Sequence, residues 1–158
     1  MKILRSLRAQ IDALDLKILN LLNARTRVVL KIGRLKAKAG SEAYVPDREK
    51  DVYRRLFNAN EGPLSSESVQ AVYREIMSGA LSLEQPVKIA YFGPPATFTH
   101  LAALKKFGSS VNYADCMSIS QVFYEVENGH CNYGVVPIEN STEGAVDHTL
   151  DMFIDSDL

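Results

Sequence analysis

The 158-residue chain has no apolar run approaching the ~18 residues needed to cross a bilayer. Its N-terminus, MKILRSLRAQIDALD, meets charge too early to supply the apolar core of a secretory signal. Just two cysteines occur, Cys116 and Cys131, with neither metal-ligand spacing nor a companion pair. They read as reduced thiols of a cytoplasmic protein, and neither metal nor cofactor is expected. The phosphate-cradling patterns G-x-G-x-x-G and G-x-x-x-x-G-K do not occur. The basic residues are seeded through an apolar seam and have no aromatic residues between them, which argues against a nucleic-acid interface.

What is present is unevenly divided. Residues 1–86 hold 15 Lys and Arg against 10 Asp and Glu, whereas residues 87–158 hold 3 against 9 and all three His. The net charge of −1 is therefore a cancellation between a cationic half and an acidic one. A boundary at Pro86 separates two expected domains, 1–86 and 87–158.

From Lys2 to Lys38 there is no Pro and a single Gly. Apolar residues fall at Leu4, Leu7, Ile11, Leu14, Ile18, Leu21, Val28, Ile32 and Leu35, the 4,3 repeat of a long helix that packs lengthwise on other helices. A lone helix cannot bury such a stripe, so a partner chain or later helices must cover it. Gly40 is expected to end it. Pro46 suits the start of a second helix, stopped at Glu61-Gly62-Pro63. Ser65 or Ser66 can cap a third, with Val69, Val72, Ile76, Ala80 and Leu83 on its apolar face.

Beyond Pro86 the period changes. VKIAYFG has the form of a buried parallel strand, followed by helix 97–108, strand 111–116, helix 118–129, strand 133–140 and a helix over 144–154. Alternation about every 20 residues predicts βαβ units. The expected fold class is α plus α/β: a three-helix all-α domain, then an incomplete α/β lobe whose exposed sheet edge favours low stability or association.

The chemistry begins where the seam breaks. The repeat demands an apolar residue at position 25 and finds Arg25. A guanidinium there costs several kcal/mol without a counter-charge. Lys36 lies 11 residues on, about 16 Å along the axis and ~20° around it. One reading is a buried ion pair with Glu49 or Glu84. The other is an anion clamped between two cations, with Arg48 nearby. Arg8 stands about 25 Å from Arg25 along the helix, so it can join that site only from a second, antiparallel chain. In the second half, GPPATFTH and PIENSTEG each follow a predicted strand. They read either as plain turns with Thr97 as an N-cap, or as a carboxylate pocket of backbone amides and hydroxyls.

The run LRAQIDALDLKILNLLNARTRVVLKIGRLK, with PDREKDVYRRL after it, resembles the all-helical chorismate mutases over residues 3–85. The resemblance implies an interlocked homodimer joined through the long N-terminal helix, each site completed by the partner subunit's Arg8. It implies rearrangement of chorismate, a dianion, to prephenate, a pericyclic step that needs conformational restraint and charge stabilisation but no nucleophile. Arg25 and the partner subunit's Arg8 would bind the two carboxylates, and Lys36 would donate to the ether oxygen and a carboxylate. Arg48 would support the binding surface, and Glu49 would accept from the substrate hydroxyl. Where many members carry Gln facing the ether oxygen, spacing places Glu84, with Gln85 adjacent; Ala80 stands where some carry Ser. As that contact Glu84 must be protonated, which implies a mutase favoured by mildly acidic pH.

AYFGPPATFTH with GVVPIENSTEGAVDHTLD resembles the N-terminal lobe of prephenate dehydratases, and the order of the two halves resembles the bifunctional enzymes of phenylalanine synthesis. Thr97, Glu139, Asn140 and Ser141 match the substrate-cleft motifs. Ala96 replaces a Gly and Thr99 a Ser of the family pattern. The family's Thr-Arg-Phe motif is absent, so dehydration and decarboxylation of prephenate are not expected from these 158 residues alone. Two competing readings are a dimeric small-acid sensor without catalysis and a helical adaptor.

Overall fold

A computed structural model describes residues 1–39, 46–140, 144–145, 147–156 and 158. Gly40 and Ser141 lie outside the described residues. By internal contacts the chain divides into two compact units, Met1–Val45 and Pro46–Leu158.

The first unit is one long helix, α1 (Lys2–Ala39), with Lys36 and Lys38 in its last turn, where cations favour the helix dipole. No residue of α1 is buried. Its seam stays open, from 46% exposed at Ile32 to 69% at Leu21.

The second unit opens with α2 (Pro46–Ala59), whose first turn carries Pro46, Asp47 and Glu49. Pro lacks the N–H that a first turn cannot use, and the two acids complement the positive helix end. Asn60 then ties the turn: its Nδ2 donates to the Leu64 carbonyl at 2.8 Å, and its Oδ1 accepts from Gly62 N. Helix α3 (Ser66–Glu84) starts at the N-cap Ser65, whose hydroxyl accepts from Ser68 N at 3.2 Å.

The α/β part follows as β1 (Lys88–Phe92), α4 (Phe98–Phe107), β2 (Asn112–Cys116), α5 (Ile119–Glu127) and β3 (Tyr133–Val135). Both pairings are parallel and the strand order is β2-β1-β3. Central β1 alternates between two cores. Ile89 and Tyr91 pack with Val87, Ala103 and Val111, and Leu81 of α3 leans on the same cluster. Ala90 packs on the opposite face with Cys116, Val122 and Cys131. Helices α4 and α5 thus cover opposite faces of a doubly wound sheet, as the α-plus-α/β class requires. Both cysteines are free and buried, and burial pushes their thiols up from the ordinary range.

Two local expectations change. The strand expected over 133–140 stops at Val135, because Pro137 has no N–H to continue a ladder. Beyond it, β4 (Glu139–Asn140) pairs antiparallel with β5 (Gly144–Ala145). The last helix, α6 (Asp147–Asp155), accordingly begins three residues later than the expected start at 144.

Candidate active site

On α1, Arg25 and Lys36 are half-buried, whereas Arg8 is exposed. The Nη1 of Arg25 is enclosed and has no hydrogen-bond partner among the described residues. A buried guanidinium nitrogen without an acceptor forfeits the larger part of its hydration and gains nothing in return. Such a group is poised for an anion. Arg8 lies seventeen residues before Arg25 on the same straight element, roughly 25 Å away, so one chain does not bring the two together.

Arg48 and Glu49 share the first turn of α2. Arg48 is exposed, but the Glu49 side chain keeps just 15% of its surface open and receives Lys106 Nζ on Oε2 at 3.1 Å. Tyr53, one turn on, has its phenol pushed up, first by burial and then by the charge of Glu49. Glu84 is the last residue of α3 and is half-buried. Gln85 has already left the helix: it is the C-cap, extended at φ −152° and ψ 137°, and exposed. Ala80, at the position where some mutases carry Ser, is 5% exposed and closely packed.

In the α/β part, strand order 2-1-3 sends the chain after β1 to the α4 face and the chain after β3 to the opposite face. The crevice of such a sheet lies between the carboxyl ends of those two strands. Thr97 and Glu139 stand in the segments that leave them. Thr97 is the N-cap of α4: its hydroxyl donates to the Pro94 carbonyl at 2.9 Å and accepts from His100 N. Glu139 and Asn140 form β4, with Glu139 exposed. The plain-turn reading of Thr97 is therefore correct as structure.

Sequence reasoning missed three supports. Glu75 Oε2 accepts from both the N–H and the hydroxyl of Ser109, at 2.9 and 2.6 Å. Ser78, 3% exposed, accepts from Ser110 N at 3.1 Å. Thr149, fully buried on α6, donates to the Pro137 carbonyl at 2.7 Å and so holds the segment leading to Glu139. None is signalled locally, since each looks like a solvated polar residue until the partner loop arrives.

Residues 7–85 match the family described as chorismate mutase type II, and residues 89–158 match prephenate dehydratase. A bifunctional chorismate mutase/prephenate dehydratase from Aquifex aeolicus is 46% identical across 100% of this chain, which covers 45% of that protein. The protein of the same name from Pseudomonas aeruginosa is 48% identical over 98% of this chain and 44% of its own length. The chain thus spans less than half the length of these curated relatives. Among solved structures, a chorismate mutase from Thermus thermophilus superposes with a TM-score of 0.51 at 36% identity, over 51% of this chain and 92% of that one. With half of its residues matched in this way, and a dehydratase match following directly, the chain belongs to the type II chorismate mutase family.

Proposed function

We propose that this chain is a chorismate mutase of phenylalanine biosynthesis, acting as a homodimer in the cytoplasm, with residues 1–86 as the mutase and 87–158 as the first lobe of a dehydratase. What carries the reading is the match of residues 7–85 to chorismate mutase type II, with Arg25 and Lys36 about 20° apart around α1. A dianion is a ligand that suits two cations on one face of a helix. Among the described residues no helix is long and apolar enough to cross a membrane.

Chorismate rearranges within one molecule, so the protein has to hold a compact conformer and stabilise charge growing on the ether oxygen. Arg25 and the partner subunit's Arg8 grip the carboxylates. Lys36 donates to the ether oxygen and to one carboxylate, and Glu49 accepts from the hydroxyl while Arg48 supports the binding surface. Glu84, when protonated, donates a second hydrogen bond to the ether oxygen. Thr97, Glu139, Asn140 and Ser141 serve prephenate in a chain that carries the rest of the dehydratase.

The test is loss of chorismate absorbance by the purified chain. An active parent, with Lys36→Ala slower by about 100-fold or more, is the expected result, since one charge-stabilising donor is worth 10²–10³ in rate. Glu84→Gln should turn chorismate over at least as fast as the parent, since a neutral amide donates to the ether oxygen without a charge that repels it. No turnover from a dimeric sample would leave the sensor reading in its place, and a slower Glu84→Gln would remove Glu84 from the ether oxygen.

A further inference from the structure

Glu49 belongs to α2, but the cation that meets it comes from the α/β part, 57 residues away in sequence. Lys106 Nζ lies 3.1 Å from Glu49 Oε2, with the carboxylate side chain 15% exposed and the lysine 47% exposed. The lysine stands in the last turn of α4, and the turn that follows α4 is fastened to α3. Ser109 gives its N–H and its hydroxyl to Glu75, and Ser110 gives its N–H to Ser78. Gly108, at φ +78°, lies so close that a Cβ there would come within 2.5 Å of the Ser78 Cβ. Three consecutive residues thus fix the end of α4 against α3, which restrains the base of the Lys106 side chain. A lysine on a loose surface gains little from an ion pair, because it must give up rotamer freedom to form one. Here the backbone part of that ordering is already in place.

We propose that Lys106 is a positioning residue of the mutase site: the first dehydratase lobe orients the carboxylate that receives the substrate hydroxyl. The inference rests on the mutase reading above and deepens it. A carboxylate has two oxygens and about four acceptor positions, so an ammonium on one side is compatible with a hydroxyl on the other. Lys106 sets the rotamer of Glu49 and adds positive potential for a dianion. The substrate hydroxyl takes no part in bond making or breaking, so its contact is equally strong in ground and transition states. Losing its orientation must therefore raise KM and spare kcat.

The experiment is steady-state chorismate kinetics on the intact chain with Lys106→Met, Lys106→Gln, Lys106→Arg and Lys105→Met. The Met and Gln variants should raise KM about two- to fivefold at unchanged kcat, the size of a half-exposed ion pair. Lys106→Arg should restore the parent KM, and Lys105→Met should match the parent. In a Glu49→Gln background, Lys106→Met should add nothing further, whereas damage to the α3–α4 docking would lower activity in both backgrounds. Parent-like KM in Lys106→Met and Lys106→Gln of an active parent overturns the inference and leaves the mutase reading standing. A parent as inert as Lys36→Ala overturns both.

Discussion

Ala96 holds φ at +70°, and it is the sole non-glycine residue in the left-handed region among the described residues. An L side chain there sets its Cβ against the following carbonyl oxygen, at roughly 1–2 kcal/mol. The surrounding contacts explain why the turn tolerates it. Ala96 N donates to His100 Nδ1 at 3.0 Å, the His100 ring stacks on Tyr91 at 4.6 Å, and Thr97 caps the helix that follows. Because Nδ1 accepts that bond, the neutral ring carries its proton on Nε2. Position 96 is where the dehydratase pattern has glycine, and the dihedral angle supplies the physical reason. Ala96→Gly should therefore stabilise the α/β part by about 1 kcal/mol, the relieved strain exceeding the added freedom of the unfolded chain. Thermal unfolding followed by circular dichroism should show Tm higher by about 4 °C. A lower Tm would mean that the packing, and not the backbone, sets the conformation.

The elements themselves were legible from period and punctuation. The seam of α1, Pro46, the Ser65 cap and Thr97 all announce their roles locally, and β1 (Lys88–Phe92) reads as a buried strand because it packs on both faces. Two features escaped because they depend on distant partners. Pro137 ended β3 early, and α3 docked on the α4–β2 turn through Glu75 and Ser78, residues indistinguishable in sequence from a solvated helix face. That docking is pH-dependent in a definite direction. The Ser109 hydroxyl, then its N–H, hold the Glu75 carboxyl below its ordinary value of 4.5. The stabilisation is therefore complete above pH 4.5 and drains away as pH falls through the lowered value. Glu75→Gln keeps the shape and removes the charge. At pH 7 it should lower stability by about 1 kcal/mol, because Glu75 is partly open to solvent. The gap between parent and variant should narrow below pH 4.5 and close at the acid end. An unchanged gap in urea titrations from pH 7 down to pH 3 would show that the Ser109 bonds contribute through geometry alone.

At the scale of the whole molecule, the sequence pattern asks for cover that α1 cannot give itself. From Leu4 to Leu35 the seam of α1 remains open, every apolar side chain in it at least 46% exposed. Burial is worth about 25 cal/mol per Å², so a second chain covering that stripe removes a large unfavourable exposure. The homodimer proposed above would also bring an Arg8 to the site. Arg8 and Arg25 stand roughly 25 Å apart on one rigid helix, so a site using both takes one from each protomer, and a two-fold arrangement makes two such sites. The separation was readable from spacing alone, because helix geometry fixes the distance before any packing is known. Its consequence is complementation. Arg8→Ala chains keep Lys36 and Arg25, Lys36→Ala chains keep Arg8, and each homodimer lacks one group at both sites. In a mixed dimer one site receives a full set and the other loses both. Random exchange of equal amounts makes about half the dimers mixed, so roughly a quarter of the parent's sites return. Chorismate turnover should climb from near zero toward about a quarter of the parent rate as subunits exchange, on the timescale at which tagged and untagged chains co-purify. Mixed dimers that form without any recovery would place Arg8 outside the site, and the long helix would then serve association alone.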